Sequence, residues 1–283
     1  MALPVDKLGK KYDEHTATLD PDRVKAYAAA TNDDNEAYTS GKYAPPVFGV
    51  VPTWDGMLLA AADIIPPEAM PFIVHGEQDM HFHQPLVPGM TLKTRSEAYA
   101  IRVGRSGTRF TNRVVSTDEN GQPVLEQFNT VFIRGMSDGD SGGPDKPDHA
   151  FDESLREKKV GEFTVHVDDD QTYRYRDASG DQMPIHVDDA FAKSVGLPGI
   201  IVHGLCTMAM TSQAIVKSVA GGDPARLKRL AVRFSKPVFP GKDVVTTIYD
   251  AGTRDGRHVY AFEATSNGDT VIKDGIAEVA EGS

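Results

Sequence analysis

The sequence predicts an α+β protein made of two related halves, each a long helix wrapped by a mostly antiparallel sheet. Three observations predict this. Helical patterning precedes strand-like runs, the same order returns after a polar break, and a set of residues recurs at a fixed spacing. The break is the stretch 135–149 (GMSDGDSGGPDKPDH), rich in Gly, Asp, Ser and Pro, which is the composition of a linker. It divides the chain of 283 residues into a half at 1–134, a linker at 135–150 and a half at 151–283, each long enough to bury its own core.

In the first half, DPDRVKAYAAA reads as a helix with Asp20 at the N-cap, Pro21 at the first position and Asp22 in the first turn. A second helix is expected within 52–65. From Phe72 to Arg134 the β-branched runs are broken by turn signals at 103–107 and at DENG, 118–121, which predicts consecutive strands. After the linker come a polar lead-in, a longer helix at about 204–220, and strands near 228–235, 242–250, 257–267 and 270–279. Leu205, Met208, Ala209, Val216 and Val219 follow helical spacing and read as core.

The repeat is quantitative. Phe82, Pro85, Pro88 and Gly89 recur as Phe234, Pro237, Pro240 and Gly241, and Pro46 as Pro198, all at an offset of 152. Upstream, Tyr27 and Asp33 recur as Tyr175 and Asp181 at an offset of 148. This is a diverged duplication. One long helix followed by an antiparallel sheet suits a hot-dog domain, and two in tandem make a double hot dog.

Bulk properties narrow the function. A net charge of −11 disfavours nucleic acid, whose phosphates reward basic surfaces. The single cysteine, Cys206, cannot form an internal disulfide, and the first residues lack the apolar run of a secretory signal. With no long uninterrupted apolar stretch, no membrane span is expected, and a cytoplasmic location follows.

The segment YRYRDASGDQMPIHVDDAFAKSVGLPGIIVHGLCT, residues 173–207, carries the chemistry. Asp181 and His186 are separated by Pro184, so they do not share a helix face and can meet across a loop with one water between them. A carboxylate and an imidazole near neutral pKa can exchange protons with that water, although such a pair is also common on a plain solvated turn. Further on, Gly204 opens the long helix, where unpaired N–H groups and partial positive charge suit a developing oxyanion. Glycine there equally permits tight packing. In the first half Tyr38 stands at the position of His186 and Pro52 at that of Gly204, so one site per chain is expected.

Through GDQMPIH, LPGIIVHGLCT, VRFSKPVFPG and, in the first half, VHGEQ, the sequence resembles the MaoC-like, R-specific (type 2) enoyl-CoA hydratase and dehydratase family of double hot-dog form. The resemblance implies reversible syn hydration of a trans-2-enoyl thioester to a (3R)-3-hydroxyacyl thioester in fatty-acid metabolism. It implies no metal and no organic cofactor, CoA being part of the substrate. Asp181 and His186 would hold and activate the water, and the Gly204 N–H would polarise the thioester carbonyl. Phe234 matches a substrate contact, His75 and Gly76 match contacts to the CoA portion, and Arg105 lies near a basic contact. Arg233 and Lys236 could also meet CoA phosphates. The expected partner is an acyl-CoA or acyl-carrier-protein thioester, with a homodimer left open. Where the family usually has Asn, this chain has Met183, a weak acceptor in place of an amide. A hot-dog thioester hydrolase and a noncatalytic acyl-CoA or acyl-carrier binding module are the competing classes.

Overall fold

The computed structural model describes residues 2–282. The first half contains β1 (His15–Thr18), α1 (Pro21–Ala30), α2 (Glu36–Thr39), α3 (Trp54–Ile64), β2 (Ile73–Phe82), β3 (Thr91–Gly104), β4 (Gly107–Thr117) and β5 (Pro123–Arg134). The second contains β6 (Lys159–His166), α4 (Gln171–Ser179), α5 (Asp189–Ser194), α6 (Gly204–Val219), β7 (Leu227–Phe234), β8 (Asp243–Arg254), β9 (Arg257–Ser266) and β10 (Asp269–Ala280). All ten strands form one antiparallel sheet in the order β1-β3-β4-β5-β2-β7-β10-β9-β8-β6. Its two ends read as the same series run in opposite directions, so the duplicated halves join edge to edge through β2 and β7. The architecture is a double hot dog.

The seam is polar on one face. Asp79 and Ala231, equivalent by the offset of 152, are paired across it. Arg229 Nη2 lies 2.8 Å from Asp79 Oδ2, and His81 Nε2 lies 3.1 Å from Asp79 Oδ1. Burial alone would raise the Asp79 pKa, but His81 and Arg229 hold it down to about 2. The equivalent tyrosines of α1 and α4 also meet, with Tyr27 Oη 3.2 Å from Tyr175 Oη.

The two central helices differ in chemistry. In α6 every residue from 205 to 216 is buried, not only the predicted stripe, because strands and the first half enclose the helix on all sides. Two of its polar members bond locally or across to the first half: Thr211 Oγ1 donates to Met208 O, and Gln213 Nε2 to Asn32 O. The first-half counterpart starts as a 3-10 helix, Pro46–Thr53, with Pro52 inside it, and becomes α-helical only at Trp54. It is fastened by side chains of the sheet: Ser96 Oγ donates to Gly56 O at 2.7 Å, and Asn112 Nδ2 to Met57 O at 2.8 Å. The run Pro46–Ile64 is long and apolar enough to cross a membrane by length and composition, yet 56% of it is buried inside the fold.

The predicted helices and major strands are present within a few residues. The edge strands β1 and β6 were not predicted from the sequence: β1 alternates partly exposed and exposed residues without an apolar face, and β6 buries only Val165, with Phe163 partly buried against the core. The linker is tied down. Gly142 bridges Ile101, the Arg102 guanidinium donates to the carbonyls of Gly142, Gly143 and Pro144, and the buried His149 donates from Nδ1 to Asp274 O. Its composition removes apolar packing, but its backbone carbonyls still find donors.

Candidate active site

The candidate site is built where α4 ends, at the loop that follows, and where α6 begins. Helix α4 stops at Gly180, which takes a left-handed φ of +83°. Arg23, from α1 of the first half, donates to Ala178 O at 2.8 Å and Ser179 O at 2.6 Å and so fixes the end of α4. Asp181 follows, half-buried, with its N–H donating to Ser179 Oγ and its Oδ1 accepting from Met183 N at 3.1 Å. A 3-10 turn, Pro184–His186, then carries His186 into the interior.

His186 is 7% exposed, and its Nδ1 lies 2.8 Å from Ile201 O. A carbonyl only accepts, so Nδ1 carries the proton and the lone pair of neutral imidazole is on Nε2. Burial pulls the His186 pKa below its ordinary value, against the opposing effects of the Ile201 carbonyl and the Asp181 charge. At neutral pH it is therefore a base with a free Nε2.

His203 completes the cluster. Its ring stacks on His186 at a centroid distance of 3.8 Å and an interplanar angle of 26°, and its Nε2 lies 3.3 Å from the backbone oxygen of Asp181. Donor atoms of Asp181, His186 and His203 all lie within 4.8 Å of one another. The residue types could ligate a metal. Each ring already commits one nitrogen to a backbone oxygen, His186 Nδ1 to Ile201 and His203 Nε2 to Asp181.

Gly204 is the first residue of α6, and its N–H has no acceptor among the described residues, as expected for a first-turn donor. A Cβ at Gly204 would lie 3.3 Å from Phe234 Cε1, so the bare backbone lets the Phe234 ring approach. Phe234 in turn contacts His75, with ring centroids 4.8 Å apart. Thus Phe234 borders the start of α6 and is itself backed by His75 from the other half. His75 accepts from Asn129 Nδ2 at 2.9 Å, and the amide chain continues through Gln78 and Gln127 to Thr53 at the start of α3. Burial pushes the His75 pKa down to about 4, so this ring is neutral. Gly76 sits at the bulge between His75 and Glu77, where a Cβ would lie 3.2 Å from Thr130 O.

Two basic residues named from the sequence stand apart from this cluster. Arg105 lies exposed in the turn between β3 and β4. Arg233, partly exposed, is paired with Glu77 at 2.9 Å and Asp274 at 3.1 Å. Sequence reasoning also passed over His203, whose only signal was its place before Gly204, and Arg23, which no local motif could have linked to a site 155 residues on.

The first-half counterpart lacks this arrangement. Tyr38 Oη is buried with no partner, and burial raises the Asp33 pKa. Asn35, equivalent to Met183 at the offset of 148, caps its turn by accepting from Ala37 N at 2.9 Å. Met183 occupies the same N-cap position before His186, with no side-chain cap and 51% exposed.

Known proteins agree with this organisation. Residues 151–271 match the model of the MaoC like domain, and residues 6–127 match that of the FAS1-like, dehydratase domain region. The 3-hydroxyacyl-thioester dehydratase Y of Mycobacterium tuberculosis is 33% identical over 221 residues, which is 74% of this chain and 73% of that protein. The probable enoyl-CoA hydratase 2 of Dictyostelium discoideum is 27% identical over 72% of this chain and 69% of its own length. The crystal structure of a MaoC-like dehydratase from Phytophthora capsici superposes with a TM-score of 0.88 at 28% identity, covering 98% of both chains. With two related halves and the polar cluster in the second, the chain belongs to the MaoC-like dehydratase family.

Proposed function

We propose that this chain is a hydro-lyase that reversibly adds water syn to a trans-2-enoyl-CoA, giving the (3R)-3-hydroxyacyl-CoA. The observation that carries the reading is the meeting of Asp181, a neutral His186 with free Nε2, and the unpaired N–H of Gly204 at one end of α6. In the hydration direction, water sits between the Asp181 carboxylate and His186. Its oxygen attacks C3 as His186 Nε2 takes a proton, and the electrons move to the thioester oxygen at the Gly204 N–H. A proton returned to C2 from the same face completes the syn addition. Phe234 and His75 flank the acyl thioester, and the two halves supply one of these residues each. The buried, unpartnered Cys206 suits a reducing compartment such as the cytoplasm.

The test is incubation with crotonyl-CoA and a medium-chain enoyl-CoA, following enoyl absorbance and free thiol together. Loss of the double bond without thiol release is expected. Thiol release with the double bond intact would instead identify a thioester hydrolase.

The pH dependence has a fixed sign. Because burial lowers the His186 pKa, the base stays active across neutral pH, and hydration kcat/KM should fall only below the ordinary imidazole value of 6.5. An acid limb centred above that value in the pH–rate profile would contradict the assignment of His186 as the neutral base.

Met183→Asn should place an amide at the uncapped start of the turn that carries His186, as Asn35 does in the first half. Hydration of a straight-chain enoyl-CoA should rise several-fold, roughly the effect of a firmer catalytic turn. Unchanged straight-chain kcat/KM with reduced use of a branched substrate would show that the exposed thioether shapes the pocket instead.

A further inference from the structure

We infer that His203 is a positioning residue for the Asp181–His186 pair, its ring backing the His186 imidazole while its Nε2–H holds the Asp181 backbone. The inference rests on the hydratase reading for its kinetic consequence, but its structural content does not depend on turnover. His203 is 1% exposed, so its ring is fixed by packing rather than by solvent. The Asp181 carbonyl can only accept, which places the His203 proton on Nε2 and leaves Nδ1 as a buried nitrogen with no partner. One side chain thereby spans 22 residues of sequence and touches both the segment that carries the carboxylate and the imidazole.

The groups around His203 explain why it does not act as a second acid. Tyr175 packs on it at 4.8 Å, with Tyr27 behind, while His186, Asp181 and Arg176 are the charged or titratable neighbours, and Cys206 lies beside the tyrosines. Burial, then the His186 and Arg176 charges, pull the His203 pKa down to about 3, outweighing the Asp181 carbonyl. A neutral ring 3.8 Å from His186 lets that imidazole accept the water proton without a like charge stacked against it. It also shields one face of His186 from water, which sustains the desolvation that keeps His186 neutral.

Two variants separate these roles. His203→Phe keeps a ring against His186 but loses the donor to Asp181, and His203→Gln keeps an N–H donor but removes the ring. In His203→Phe, kcat should fall about tenfold with KM little changed, the scale of a slightly misplaced reacting group, while the His186 midpoint stays low. In His203→Gln, water reaches the uncovered imidazole, so the His186 midpoint followed by histidine NMR should rise towards 6.5. A His186 midpoint unmoved in His203→Gln, or parental kcat in His203→Phe, would overturn the inference.

The parent protein supplies a test free of both folding and turnover. Nitrogen-15 NMR should find His203 neutral at about pH 5, well below the ordinary imidazole range, with its proton on Nε2. A protonated His203 at that pH, or an Nδ1–H tautomer, would overturn the inference even if the enzyme hydrates enoyl-CoA. Conversely, a parent that leaves enoyl-CoA untouched while His203 shows this tautomer would refute the hydratase reading alone.

Discussion

Asp181→Asn and His186→Ala should each lower hydration turnover by about a hundredfold or more, the range expected when a positioned acid–base group is lost. The two substitutions probe different parts of the same step. Asparagine keeps an oxygen that can accept from Met183 N, so the loop should hold its shape while the carboxylate charge disappears. Alanine removes the imidazole proposed to take the water proton, and it also deprives Ile201 O of its donor. Melting curves therefore accompany the kinetics, and the comparison is made between folded proteins. Equivalent changes in the first half, Asp33→Asn and Tyr38→Phe, should leave turnover within a few-fold, because no helix-start glycine or imidazole accompanies them. Near-parental rates in folded Asp181→Asn or His186→Ala would remove the pair from the mechanism.

The duplicated plan was legible because a physical requirement repeats. A sheet wrapping a helix needs strand runs, turn signals and an apolar helix, and these survive divergence at offsets of 148 and 152. The pair Asp181 and His186 was legible for a similar reason, since Pro184 between them forces a turn that brings two titratable groups together. What escaped the sequence depends on contacts between distant segments. Helical periodicity marked one stripe of α6, whereas enclosure by both halves buries its Thr and Gln residues too. Polarity marked 135–149 as a free connection, but Arg102 and Asp274 satisfy its backbone and His149. The charge of Arg233 marked it as a phosphate contact or a solvated strand charge, and its pairing with Glu77 and Asp274 depends on residues 156 and 41 positions away.

The asymmetry of the halves has a consequence for the site. The first half lacks a working imidazole at Tyr38, yet it supplies Arg23 to the end of α4 and His75 to the ring that borders α6. Its own central helix is fastened by Ser96 and Asn112 to helix carbonyls, where α6 combines apolar packing with the bond from Gln213 to Asn32 O. The halves thus divide the work: one carries the proton-handling residues, and the other fixes where they stand.

Gly204→Pro should reduce hydration by about a hundred- to a thousandfold, the effect of deleting one oxyanion donor, with little damage to the helix. Proline is well suited to the first position of a helix, where the N–H makes no intrahelical bond. The preceding residue must avoid the helical region, and His203 already does so with φ −55° and ψ 135°. Proline nevertheless adds side-chain atoms as well as removing a donor, and a Cβ at 204 would lie 3.3 Å from the Phe234 ring. Gly204→Ala is the matched control, because it adds the same Cβ and keeps the N–H. The Ala enzyme should retain a substantial fraction of parental kcat, and the further fall from Ala to Pro measures the donor. Because the lost interaction belongs to the developing oxyanion, that fall should appear in kcat more than in KM. If folded Ala and Pro variants are equally active, the carbonyl is polarised by a group other than the Gly204 N–H; if they are equally impaired, the requirement at 204 is space for Phe234 rather than a hydrogen bond.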